Sequence, residues 1–181
     1  YHVFDDSLFQ GINTTSGDTI SLQFVDQELQ RILVLGGARG TYSPDTSRSD
    51  IESDIEYSAQ TINYFIPKET TMLISEAQVD YDDVSLSAGY IGVNWQSNLL
   101  DALPIAVGDT TSREITPTLK EGDQEPIIGD KMQYNLQTER GKILHGKTIA
   151  EDGYYTSQDI RNESKKVFYM KKSVYTTCSL D

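Results

Sequence analysis

Three segments of this 181-residue chain share one pattern: a strand, a tight turn and a return strand, with apolar residues at alternate positions. Asp18-Thr-Ile-Ser-Leu-Gln-Phe24 turns around Asp26 and returns as Arg31-Ile-Leu-Val-Leu35. Thr61-Ile-Asn-Tyr-Phe-Ile66, preceded by Ile55-Glu-Tyr57, turns at Pro67-Lys68-Glu69 and returns as Thr71-Met-Leu-Ile74. Lys131-Met-Gln-Tyr-Asn-Leu136 turns at Thr138-Glu139-Arg140-Gly141 and returns as Lys142-Ile-Leu-His145. A period of two gives each strand one apolar and one polar face. A hairpin cannot bury its own apolar face, so a series of hairpins must stack on one another. Such stacks suit a long ligand lying along them better than chemistry at one point.

The rest of the chain agrees. Val84, Leu86, Ala88 and Tyr90 alternate with Ser85, Ser87 and Gly89, which reads as a strand with those four residues on one face. Asp82-Asp83 marks the turn before it, and Ile91-Gly-Val93-Asn-Trp95 continues it. Sustained 3.6-residue periodicity is missing, and residues 157–162 offer at most one helical turn. Eleven tyrosines with many Ile, Val and Thr favour pleated surfaces. The expected class is all-β. Residues 43–53 read as a charged loop. Residues 97–129, with Pro104, Pro117 and Pro126, read as a long irregular edge segment within one domain spanning 1–181.

Charge narrows the partners. The net charge is −13, which speaks against nucleic acid, because neutralising phosphates requires Lys and Arg. Residues 1–125 hold 6 basic and 21 acidic residues, and 126–181 hold 9 and 7. Lys142, Lys147, Lys165, Lys166, Lys171 and Lys172 make the C-terminal third the one locally basic region. They read as a solvated face, with an anionic head group or partner as the alternative. Cys178 is the single cysteine, so it is either a free thiol or half of a bridge to a segment outside this sequence. The start at Tyr1-His2-Val3, without initiator Met, reads as a piece of something larger, and no targeting or membrane-spanning helical segment is visible.

Gly129-Asp-Lys-Met-Gln-Tyr-Asn-Leu-Gln-Thr-Glu-Arg-Gly141, Asp152-Gly-Tyr-Tyr155 and Val174-Tyr-Thr-Thr-Cys178 together resemble the periplasmic N-terminal domain of the outer-membrane lipopolysaccharide-assembly proteins. This is the organic-solvent-tolerance family (LptD, OstA-like). The resemblance extends to the earlier hairpins and so to nearly the whole chain. It implies an open, V-shaped β jelly roll, the β-taco, located in the periplasm and attached to the outer membrane through a parent protein. It implies that the domain accepts lipopolysaccharide from a periplasmic bridge protein by edge-strand pairing. The lipid then passes to the parent's own C-terminal β-barrel and its plug lipoprotein. It also implies a disulfide from Cys178 to that barrel. The family often carries a second N-terminal cysteine that this sequence lacks.

Carrying an acyl lipid through water exposes CH₂ groups, each costing about 0.8 kcal/mol. A carrier therefore needs a long apolar interior open on one side for the sugar head. Alternation nominates Ile20, Leu22, Phe24, Ile55, Tyr57, Ile62, Tyr64, Ile66, Met72 and Ile74 as lining residues, followed by Val84, Leu86, Val93, Trp95, Met132, Tyr134, Leu136, Ile143, Val167 and Tyr169. The competing reading is that they fill an ordinary dry core. Unpaired edges would serve for end-to-end strand addition.

Other chemistries are weaker. Asp5/Asp6, Asp80/Asp82/Asp83 and Glu151/Asp152 could serve as glycosidase carboxylates, yet paired acids at turns are ordinarily solvated turn formers. Asp80-Tyr-Asp82-Asp83 lacks the remaining spacing of a calcium loop. Gly36-Gly-Ala-Arg-Gly40 looks like a phosphate loop, but no helix follows it. His2 and His145 have no evident nucleophile to serve. The expectation is therefore a non-enzymatic lipid relay without metal or cofactor. Its alternatives are a stand-alone bridge protein of the same fold and a secreted carbohydrate-active or adhesive β-solenoid domain.

Overall fold

The computed structural model describes residues 11–45, 51, 53–107, 113–150, 153–164 and 167–177. It is built of strands. They are β1 (Gly11–Ser16), β2 (Thr19–Val25), β3 (Glu28–Pro44), β4 (Ile55–Phe65), β5 (Thr70–Tyr81), β6 (Val84–Asn94), β7 (Leu99–Leu103) and β8 (Ile105–Val107). The remainder are β9 (Arg113–Ile115), β10 (Thr118–Glu121), β11 (Ile127–Ile128), β12 (Lys131–Asn135), β13 (Arg140–Ala150), β14 (Gly153–Ser164) and β15 (Val167–Thr176). Among the described residues the one helical element is a single 3₁₀ turn, Ile66–Lys68. Residues 157–162 are extended within β14, so the helical turn expected there is absent.

Thirteen strands form one continuous antiparallel strip, and β8 and β9 make a separate two-stranded arm. β3, β4, β5 and β6 are long neighbours, as are β13, β14 and β15. Shorter strands share a place side by side: β1 and β2 along β3, and β7 and β10 along β6. β7 continues to β12 and β10 to β11, and both routes reach β13. Residues 97–129 therefore do not form an edge segment. Their β7, β10 and β11 lie in the centre of the strip, where β7 and β10 each fill half the length of β6, while β8 and β9 make the separate arm.

A row of irregularities crosses the long strands at matching positions. The register skips between Leu35 and Ala38, Ser58 and Thr61, and Ile74 and Ala77. Left-handed backbone angles accompany it at Gly36 (φ 77°), Gly37 (φ 51°), Ser75 (φ 63°), Glu76 (φ 52°), His145 (φ 50°) and Lys172 (φ 53°). Bulges bend a strand and add local twist, so aligned bulges crease the sheet. One consequence is decisive. Tyr57 and Tyr64 lie on one strand, where seven extended residues span roughly 23 Å, yet their hydroxyl oxygens are 3.0 Å apart. The strip is folded in two along the crease. The first wing carries β1, residues 38–44, 55–59, 77–81 and 84–88, then β10 and β11. The second carries β2, residues 28–35, 61–65, 70–74 and 90–94, then β7 and β12.

Candidate functional site

The space between the wings is lined by the faces that alternation turns inward. From the first wing come Ala38, Tyr42, Ile55, Tyr57, Ala59, Val79, Val84 and Leu86; from the second, Val34, Ile62, Tyr64, Leu73, Ile91, Val93, Leu100, Met132, Tyr134, Leu136 and Ile143. All are buried, so the middle of the trough is packed with side chains rather than hollow. The inward orientation expected of Ile55, Tyr57, Ile62, Tyr64, Val84, Leu86, Val93, Trp95, Met132, Tyr134, Leu136 and Ile143 is found. Ile66 sits on the 3₁₀ turn, partly buried against this core.

Four expected orientations are reversed. On β5 the buried positions are Thr71 and Leu73, which turns Met72 and Ile74 to the outer face. The bulge there holds two residues, Ser75 and Glu76, so the inward places keep their alternation through it, at Ala77, Val79 and Tyr81. On β6 the phase does change: Gly89 alone lies opposite that bulge, so Tyr90 leaves the face of Val84, Leu86 and Ala88, and Ile91 takes the inward place. On β15, Met170 pairs with the buried Ile160, while Tyr169 pairs with the exposed Arg161. Phe168 and Met170 therefore face inward, and Val167 and Tyr169 outward. The expectation missed Leu73, Ile91, Phe168 and Met170.

Ends and middle differ. At the N-terminal end Ile20 pairs with Val34 and Leu22 with Ile32, which places both on the inner face. Nothing described covers them: Ile20, Leu22 and Phe24 are 47%, 51% and 55% exposed. At the other end the Tyr155 and Tyr175 rings stack at 4.9 Å, with Met170 and Tyr175 exposed. Among the described residues β1 and β2 pair only with β3, and β15 only with β14. Both ends of the strip thus present apolar inner surface beside a strand edge. Near the C-terminal end, a cleft of about 230 Å³ lined by Pro126, Ile128, Lys147, Ile149, Tyr154 and Tyr155 adds apolar surface.

Between the N-terminal lip and the aliphatic core stands an aromatic group spanning both wings. Tyr42 of the first wing meets Trp95 of the second at 5.0 Å between ring centres, and Tyr57 lies 6.5 Å from Trp95. The Trp95 indole N–H donates to Thr71 Oγ1 at 2.8 Å. The Tyr57 hydroxyl donates to the Asn13 side-chain oxygen and shares its 3.0 Å contact with Tyr64. Gly40 faces the Tyr57 ring so closely that a Cβ there would overlap it. Burial, then the neighbouring Tyr64, raises the Tyr57 phenol well above its ordinary pKa; burial likewise raises Tyr64 and Tyr42. All three are neutral hydrogen-bonding groups at physiological pH.

The other candidate chemistry falls apart in space. Asp80 lies on the outer side, accepting from Gln78 at 2.8 Å, and Asp82 and Asp83 occupy the exposed β5–β6 turn. His145 is exposed at the crease, 2.8 Å from Asp130. Among the described residues no group of three or more His, Cys, Asp or Glu side chains converges on a metal position. Gly36-Gly37 is the crease of β3, not a phosphate loop. His2, Asp5, Asp6, Glu151, Asp152, Lys165, Lys166 and Cys178 lie outside the described residues.

A strip of antiparallel strands folded on itself around an apolar interior defines a β jelly roll of the V-shaped kind, here packed in the middle and open at its ends. No protein-family model matches the chain, and no curated protein does. Among solved structures the fold is similar to LptH of Pseudomonas aeruginosa, the LptA-homologous periplasmic component of that organism's lipopolysaccharide transport device. The TM-score is 0.54 at 14% identity, over 67% of this chain and 85% of that one. At that identity the likeness is one of fold.

Proposed function

We propose that this chain is a periplasmic, non-enzymatic carrier domain that binds the acyl chains of lipopolysaccharide and relays the lipid toward the outer membrane. The observation that carries the proposal is the inner apolar face left exposed at both ends of the folded strip, at Ile20 and Leu22 and again at Met170 and Tyr175. An exposed apolar surface continuous with a core marks an interaction site. Lying between two folded wings, it suits a long flexible ligand. The unpaired edges of β2 and β15 suit strand addition by neighbours of like fold. The likeness to a periplasmic lipopolysaccharide-transport protein supports the same reading.

In its finer form the domain belongs to an assembly protein of the LptD type. The bridge protein adds at the N-terminal edge. The parent's barrel with its plug lipoprotein follows the C-terminal edge, tied through Cys178. The ordered motifs ending in Thr176-Thr177-Cys178 support this form. The second reading, a stand-alone bridge, is favoured by the LptH likeness, which takes in 85% of that protein. A parent sequence that continues past Asp181 into alternating segments of about ten residues selects the first reading. Photo-crosslinkers placed in living cells at Ile20, Leu22 and Tyr155, and at the outward Met72 and Tyr169, test the shared part. Lipopolysaccharide adducts at the inward positions alone are expected. Equal labelling of both faces, or none, would end the reading.

A further inference from the structure

We propose that Tyr42, Tyr57, Tyr64 and Trp95 form a clasp that holds the two wings together and is parted by acyl chains entering from the N-terminal lip. The inference rests on the carrier reading and adds a gate to it. The wings share backbone only at the crease, where Gly36, Gly37, Ser75 and Glu76 take left-handed angles. Tyr42 is five residues from Gly37 on one side, and Trp95 is six from Gly89 on the other. Their rings therefore meet far from the crease, across the side a V-shaped carrier must open.

The residues of the clasp suit reversible contact. Parting Ile62 from its neighbours returns only hydrocarbon to water. Parting Tyr57 from Tyr64 returns two hydroxyl groups, which water satisfies, and Asn13 stays with Tyr57 on the first wing, so the broken bond costs little. The ring faces remain available to an acyl chain, and the hydroxyls to water or to ester and amide groups at its head. Position agrees with chemistry. Asn13 and Thr15 on β1, and Tyr57 and Tyr64 on β4, flank β3, whose second-wing half carries the exposed lip of β2. A chain arriving over Ile20 and Leu22 meets this group before the aliphatic core.

Trp95 is the one tryptophan in the chain and reports the clasp directly. The full chain, kept reduced, is mixed with purified lipopolysaccharide. Trp95 emission is followed by stopped flow, and bound lipid is measured separately by co-elution in gel filtration. Emission is expected to change as lipid binds. Tyr57→Phe removes the bridging hydroxyl and should speed the change by roughly 3- to 10-fold. Tyr64→Phe, which removes the other hydroxyl of that bond and leaves every ring in place, should act in the same direction and guards against a folding defect in the first variant. Lipid that co-elutes while Trp95 emission stays constant, or rates unmoved in both variants, overturns the clasp and leaves the carrier reading standing. Absence of co-eluting lipid overturns both.

Discussion

Leu22 and Ile62 carry the same signal in sequence, an aliphatic residue at an alternating position of a hairpin strand, and both face the space between the wings. Ile62 is fully buried and Leu22 is half exposed. The difference lies in their neighbours. β4 has long strands on both sides and the opposite wing above it, whereas β2 has β3 alone. One alternating pattern thus yields a stabilising core in the middle of the strip and an adhesive surface at its ends. Burial here is a property of position in the strip.

Truncation breaks the comparison most sharply. Ile62→Ala or Leu73→Ala should cost about 2–5 kcal/mol in denaturant unfolding, since each leaves a cavity in a packed interior. Leu22→Ala should change stability by less than about 0.5 kcal/mol while weakening lipopolysaccharide capture. Equal losses at the two sites would mean that the ends are as tightly packed as the centre. Overpacking comes next. Gly40→Ala puts a methyl group into the Tyr57 ring and should cost about 1–3 kcal/mol, whereas the same change at Gly37, where a Cβ meets nothing within 4 Å, tests only the left-handed backbone angle.

The pH dependence separates the regions further. The phenols of Tyr57, Tyr64 and Tyr42 are raised in the folded protein from an ordinary 10.0. Their contribution is therefore complete below about pH 10 and is lost as pH rises through the folded values. Unfolding free energy should be level through neutral pH and fall in the alkaline range, and Tyr57→Phe should flatten that fall. The smallest expected change is at the C-terminal surface, where Arg161 bonds Asp159 at 3.2 Å and holds its carboxyl below the usual range. Arg161→Gln should cost no more than about 1 kcal/mol, as for other exposed pairs.

Hairpin positions were legible because turn residues and alternation are local: Asp26 and Asp82-Asp83 fall at turns as read, and the turn read at 138–141 lies two residues earlier, at 136–139. The phase of alternation was legible only up to each bulge. Gly36-Gly37 carries a local signal of one bulge, since glycine takes the left-handed angles found there. In β5 apolar residues stand on both faces, Met72 and Ile74 on one and Leu73 on the other, so alternation alone did not tell which face turns inward. The place of 97–129 was hidden for another reason. Short strands that share a neighbour are specified by partners elsewhere in the chain, and their prolines lie between strands, where they mark ends without revealing pairing.

Strand content, the all-β class, the turns and the apolar face of each uninterrupted strand follow from the amino-acid order, since backbone preference and period-two alternation act between neighbouring residues. The crease, the clasp of Tyr42 and Tyr57 against Tyr64 and Trp95, and the contrast between a filled middle and bare ends came from the tertiary structure alone. They depend on register shifts aligned across β3 to β6 and on which strand ends up beside which. Such long-range pairing leaves no periodic trace in any single segment.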